Sequence, residues 1–158
     1  MMGYYQEALL VLDRAIQIDP YNVNVWRNKG KTLFEMRQYE QSLPAFERAI
    51  QLNSKYISAY NDKGNALNIL GRYKDALATF EQAIQFEPNN PDVHNGKGNA
   101  LNSLKQLDEA LIAFDRAIQL DSNEAIFHRN RANVLQQQGR LIEAQQAYDI
   151  AQRLTRGF

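Results

Sequence analysis

RAIQIDPYN at Arg14–Asn22 returns as RAIQLNSKY at Arg48–Tyr56, as QAIQFEPNN at Gln82–Asn90 and as RAIQLDSNE at Arg116–Glu124. Each copy begins 34 residues after the previous one, with no insertion or deletion between them. A fixed period of this length marks a repeat architecture and takes precedence over any local reading of helix or strand. Working outward, the period divides the 158 residues into a half repeat, 1–22, and four full repeats, 23–56, 57–90, 91–124 and 125–158, predicted to form a single array.

Each full repeat carries two amphipathic patterns. In the repeat that starts at Ile57, Ala59, Tyr60, Lys63, Gly64, Leu67 and Leu70 recur at three- and four-residue steps, the spacing of one buried helical stripe. Gly71 marks a turn. Tyr73, Ala76, Leu77, Phe80, Ala83 and Ile84 then form the stripe of a second helix, which Pro88, Asn89 and Asn90 end. One such pair cannot bury its own apolar faces, so stability has to come from neighbouring repeats.

Counting each full repeat from its first residue, Trp26, Tyr60, His94 and His128 take the fourth place, and Gly30, Gly64, Gly98 and Ala132 the eighth. Ala8, Ser42, Ala76, Ala110 and Ala144 take the twentieth, Leu12, Phe46, Phe80, Phe114 and Tyr148 the twenty-fourth, and Ala15, Ala49, Ala83, Ala117 and Ala151 the twenty-seventh. This resembles the tetratricopeptide repeat, whose pattern runs Trp-x2-Leu-Gly-x2-Tyr, then Ala-x3-Phe-x2-Ala, then Pro. The resemblance covers the whole chain. It implies an all-α fold, a right-handed α-solenoid of antiparallel helix-turn-helix repeats with the first helix of each lining a concave groove. It also implies a protein–protein interaction scaffold that binds a peptide or a helix there. Small residues at the eighth, twentieth and twenty-seventh places let paired helices approach, and the aromatic ring at the twenty-fourth fills the space beside them.

Three departures from the pattern carry expectations. The seventh place holds Lys29, Lys63, Lys97 and Arg131 instead of Leu, so aliphatic stems pack while the charged heads reach outward. Pro44 falls inside a second helix and predicts a late start or a slight kink there. Ser54 and Ser122 replace the closing Pro, which loosens a turn without changing the fold.

Places two, five, nine, twelve and thirteen fall on the stripe of the first helix opposite its packed side. There the chain offers Asn24, Arg27 and Lys31, then Ser58, Asn61, Asn65 and Asn68, then Asp92, Asn95, Asn99 and Asn102, then Arg129, Asn133 and Gln136. An Asn amide donates and accepts, so a ladder of them suits the main chain of an extended peptide. Asn is a poor helix former where Glu or Lys would serve solubility better. The predicted groove residues are therefore Arg27, Lys31, Asn61, Asn65, Asn68, Asn95, Asn99, Asn102, Arg129 and Asn133, the cations adding a preference for acidic stretches. Chaperone-tail receptors of the family clamp a terminal carboxylate with Lys and Asn at set places. In the matching positions this chain has Arg27, Lys31, Asp62, Asp92 and Gly96, or Asn61, Asn65, Gly96, Ile126 and Asn130, and neither set is such a clamp.

Nothing in the sequence points to chemistry. The two histidines, His94 and His128, occupy the aromatic place of the first helix and read as packing residues. Asp13, Glu47, Glu81, Asp115 and Asp149 recur at place twenty-five, as solvated or Lys-paired surface does, and no glycine-rich phosphate loop follows a strand. No catalytic residue, metal or cofactor is expected.

Eighteen basic and eighteen acidic residues cancel, which argues against nucleic acid as a partner. Cysteine is absent. No stretch fits a signal peptide or a membrane span, so the expectations are a cytoplasmic location and no membrane insertion. The array begins on a second helix without its first and ends on Ile150, Ala151 and Leu154 with no polar capping helix. End-to-end self-association through these terminal helices is therefore a further expectation. Two alternatives to a free scaffold follow: a regulatory or substrate-recruiting segment of a larger enzyme, such as a glycosyltransferase or kinase, or a self-assembling spacer.

Overall fold

The computed structural model describes residues 2–157, and every regular element among them is an α-helix. In chain order these are α1 (Met2–Ile18), α2 (Val23–Glu35), α3 (Tyr39–Leu52), α4 (Ile57–Ile69), α5 (Tyr73–Phe86), α6 (Pro91–Ser103), α7 (Leu107–Leu120), α8 (Ala125–Gln137) and α9 (Leu141–Arg156). None is long and apolar enough to cross a membrane. They form two compact units, residues 1–86 and 87–158. In the first, α1 packs on α2, α2 on α3, α3 on α4 and α4 on α5, and α2 also touches α4. In the second, α6 packs on α7, α7 on α8 and α8 on α9, and α6 touches α8.

The turn inside each helix pair is the same object four times. The N–H groups of Arg37 and Gln38 reach back to the carbonyls of Phe34 and Leu33 at 2.8 and 2.9 Å, a Schellman motif. It repeats after α4, α6 and α8. The motif requires a left-handed residue, supplied by Gly71 and Gly139 at φ 75° and 76°, but by Arg37 and Lys105 at 59° and 64°. The sequence reading recognised only Gly71. At the other two full repeats a longer side chain takes the left-handed conformation, so the hydrogen bonds of the motif outweigh its intrinsic cost, about 1–2 kcal/mol.

Packing within a pair depends on one contact. Phe46, Phe80 and Phe114 are fully buried, each lying on the glycine at place eight of its own repeat. A Cβ on Gly30, Gly64 or Gly98 would come within 2.5, 2.5 or 2.6 Å of the ring. Ala49, Ala83 and Ala117 bury completely beside these rings. Ser42, at the twentieth place in α3, is buried as well and donates its hydroxyl to the Tyr39 carbonyl at 2.7 Å.

Pro44 does not delay its helix. α3 starts at Tyr39, in step with α5 at Tyr73 and α7 at Leu107. Pro44 is exposed, and the carbonyl left without its N–H belongs to the exposed Glu40 in the first turn, a position open to solvent.

Candidate binding faces

The fourth place is a latch as well as a packing position. Trp26 Nε1 donates to the Pro20 carbonyl at 2.9 Å and the Tyr60 hydroxyl to Ser54 at 3.1 Å. His94 Nε2 lies 2.8 Å from the Pro88 carbonyl and His128 Nε2 lies 3.0 Å from that of Ser122. In all four the acceptor stands six residues earlier, at the turn that leads into the helix. Carbonyls only accept, so each imidazole holds a proton on Nε2. The residue type is thus a ring with a donor at its tip, which Trp, Tyr and His share and Phe lacks. Among the described residues no three His, Cys, Asp or Glu gather as a metal site would require.

The cations at place seven meet the acids at place twenty-five of the preceding helix. Lys29 holds Asp13 at 2.6 Å, Lys63 holds Glu47 at 3.0 Å and Arg131 holds Asp115 at 2.6 Å. These pairs are partly exposed, and each is worth at most about 1 kcal/mol.

On the face shared by α2 and α4, Arg27 Nε bonds Asp62 Oδ2 at 2.6 Å and its guanidinium lies 5.8 Å from the centre of the Tyr56 ring. Burial weakens the Arg27 charge, but Asp62 and Tyr56 outweigh it and hold the group above its usual pKa. The Tyr56 hydroxyl donates to Asn24 Oδ1 at 2.7 Å. Lys31 is exposed, while Asn61, Asn65 and Asn68 are half-buried. The Oδ1 atom of Asn61 is buried without a hydrogen-bond partner.

On the face shared by α6 and α8 the amides are held by neighbours. Asn130 Nδ2 donates to Asn95 Oδ1 at 2.9 Å, and Gln137 Nε2 to Asn102 Oδ1 at 3.0 Å. The Tyr148 hydroxyl donates to Asn133 Oδ1 and lies 3.2 Å from Gln136 Oε1. Asn99 is half-buried; Arg129 and Asn133 are exposed. Sequence reading missed Tyr56, Asp62, Asn130, Gln137 and Tyr148. A signal for three of them was present. The contacts Arg27–Asp62, Asn95–Asn130 and Asn102–Gln137 are each 35 residues apart, so a place in one repeat meets the next place in the following one.

Two descriptions of one repeat type match the chain: a TPR repeat model over residues 64–102 and 98–139, and a Tetratricopeptide repeat model over residues 23–56. The chain belongs to the tetratricopeptide repeat family. Among solved structures it is similar to MamA from Desulfovibrio magneticus RS-1, with a TM-score of 0.86 at 21% identity over 99% of this chain and 88% of that one. MamA of MSR-1 gives 0.75 at 26% identity over 98% and 89%. YrrB, described as a TPR protein with an unusual peptide-binding site, gives 0.74 at 25% identity over 92% and 75%. No functionally curated protein matches the sequence. The fold is the all-α helical-repeat solenoid of the tetratricopeptide family, an architecture whose stacked repeats serve as scaffolds for protein–protein interaction.

Proposed function

We propose that the first helices of each unit, α4 in one and α6 and α8 in the other, present faces that hold an extended peptide by its main chain. The supporting observation is the fixing of the ladder amides before any ligand arrives: Asn95 by Asn130, Asn102 by Gln137 and Asn133 by Tyr148. A side chain that is already oriented loses little rotamer freedom on binding, so its hydrogen bonds count almost in full toward affinity. Asn99 shares that face of the second unit, and in the first unit Asn61, Asn65 and Asn68 take the matching places of α4, with Lys31 at the ninth place of α2. Arg27 contributes less charge than its sequence position suggests, since Asp62 compensates it.

The test selects peptides from a displayed random library on the wild-type chain and measures each against a variant carrying Asn65→Ala and Asn99→Ala. Loss of two amide contacts should weaken binding by about tenfold or more, with the melting temperature unchanged. Peptides that bind both proteins equally well refute the ladder.

Self-association is a second reading, favoured by α1. Tyr4, Val11 and Ile18 recur every seven residues along it, exposed at 78, 69 and 79%. The place of Val11 is buried in every full repeat, by Ala45, Thr79, Ala113 and Ala147. A row of exposed apolar side chains of this kind invites a partner surface. Sedimentation velocity should show a species larger than one chain at high concentration, reverting to monomer in Val11→Glu.

A further inference from the structure

α1 is 17 residues long, whereas the second helices α3, α5 and α7 have 14 each. The extra length lies at its N-terminal end. Places fourteen to sixteen, which form the tight turn in every full repeat, are helical in α1. Place sixteen is polar in all four full repeats, as Gln38, Arg72, Gln106 and Arg140, but is Tyr4 in α1. Tyr4 is therefore not a core residue stripped of its cover, since no full repeat has an apolar side chain there to bury.

With Val11 and Ile18, Tyr4 forms a row at heptad spacing, and Leu10 adjoins Val11, also exposed. Glu7 and Arg14 fall on the same strip. Tyr4, Glu7, Val11, Arg14 and Ile18 thus follow one another at alternate steps of three and four residues, as the seam of a helix pair does. Both charged residues are exposed. Among the described residues of α1, Asp13 alone forms an ion pair, with Lys29.

This strip is its own complement when a second copy lies antiparallel on it. With Val11 against Val11 on a two-fold axis, Tyr4 of each copy meets Ile18 of the other. Glu7 then comes level with Arg14 of the other copy to within one residue's rise, about 1.5 Å. In a parallel pairing Glu7 would face Glu7 and Arg14 would face Arg14, which costs affinity. The last helix offers no second surface of this kind. Two places that are apolar in α1, α3, α5 and α7, as Leu9, Leu43, Leu77 and Leu111 and as Ile16, Ile50, Ile84 and Ile118, are exposed glutamines in α9, Gln145 and Gln152. A strip that pairs with itself closes the assembly at two copies, whereas stacking α1 on α9 would run on into a filament.

We infer that a second copy of this chain docks on α1, the two α1 helices packing antiparallel across a two-fold axis at Val11. The inference rests on the self-association reading and adds its partner surface, direction and stoichiometry. A helix about 25 Å long buries less than the ~1,200 Å² of a standard interface, so the dimer forms at high protein concentration and exchanges readily.

Sedimentation velocity over a range of concentrations reads the assembly. The wild-type chain should reach a dimer and stop there. Glu7→Arg and Arg14→Glu, each alone, set like charges against one another at both contacts and should weaken the dimer about tenfold or more. Thermal unfolding should stay unchanged, because both positions are exposed. An equimolar mixture of the two variants restores opposite charges at every contact and should recover the dimer. Direction is read by oxidative cross-linking, which the absence of native cysteine makes unambiguous. Tyr4→Cys mixed with Ile18→Cys should give a mixed disulfide, and neither should link to itself. Self-linking of Tyr4→Cys, or a wild-type dimer that Val11→Glu abolishes and neither charge variant alters, overturns the antiparallel pairing and leaves self-association intact. Assemblies larger than two copies overturn the closed dimer in the same way. A wild-type chain that stays monomeric throughout overturns both.

Discussion

The helix pair α6–α7 and the helix pair α8–α9 differ at two matched places. In the first, Gly98 lies under the ring of Phe114, which is fully buried. In the second, those places hold Ala132 and Tyr148; Ala132 is fully buried, the tyrosine is half-buried, and its hydroxyl reaches Asn133 and Gln136. The extra carbon at place eight occupies the space in which the ring of a buried phenylalanine would lie. One methyl group thus accompanies the change of an aromatic residue from a core filler into a surface group with a hydrogen bond to offer.

The largest effect expected from breaking this contrast is in the glycine-bearing pair. Phe114→Ala should cost about 3–5 kcal/mol in urea unfolding, as large-to-small changes at buried aromatics do, whereas Tyr148→Ala should cost clearly less. Equal losses would show that both rings do the same work. Next, Gly98→Ala introduces strain of about 1–3 kcal/mol, only partly offset by the ~1 kcal/mol that alanine gains over glycine in a helix. Combining it with Phe114→Leu should recover part of the loss, and a double-mutant cycle with no coupling would disprove the steric match. The reverse change, Ala132→Gly, has no displaced ring to accommodate and should lower stability by about 1 kcal/mol from helix propensity alone. His94→Phe keeps the bulk of the fourth place but removes the bond to Pro88, and a loss of about 1 kcal/mol is expected. Smallest of all, Tyr148→Phe should change stability by less than about 0.5 kcal/mol, yet shift the side-chain amide NMR signals of Asn133. Unmoved signals would place that hydroxyl elsewhere in solution.

Much of the helical architecture was legible because its determinants are local or strictly periodic. The boundaries of α2, α4, α6 and α8 follow the 34-residue step, and the Gly–Phe and Ala places come from residue size alone. Of the late start or slight kink expected at Pro44, the late start does not occur, for a local reason: a missing N–H in the first turns of a helix leaves only an acceptor without its donor. The left-handed Arg37 and Lys105 were illegible because side-chain identity does not announce a backbone conformation set by two hydrogen bonds across the turn. On the binding faces, the asparagines are visible in the sequence, but their partners are not. Asp62 and Tyr148 read as ordinary surface and core positions until the helices are set side by side.

The sequence by itself determined a repeat of two helices, the places where they touch and the row of amides on their first helices, because each depends on spacing along one chain and on side-chain volume. Only the tertiary structure decided which atom of each amide a neighbour engages and which cations meet a carboxylate. Hydrogen-bond polarity and charge balance are set by neighbours some 16 to 35 residues away, across helices that the linear pattern places together without orienting their side chains.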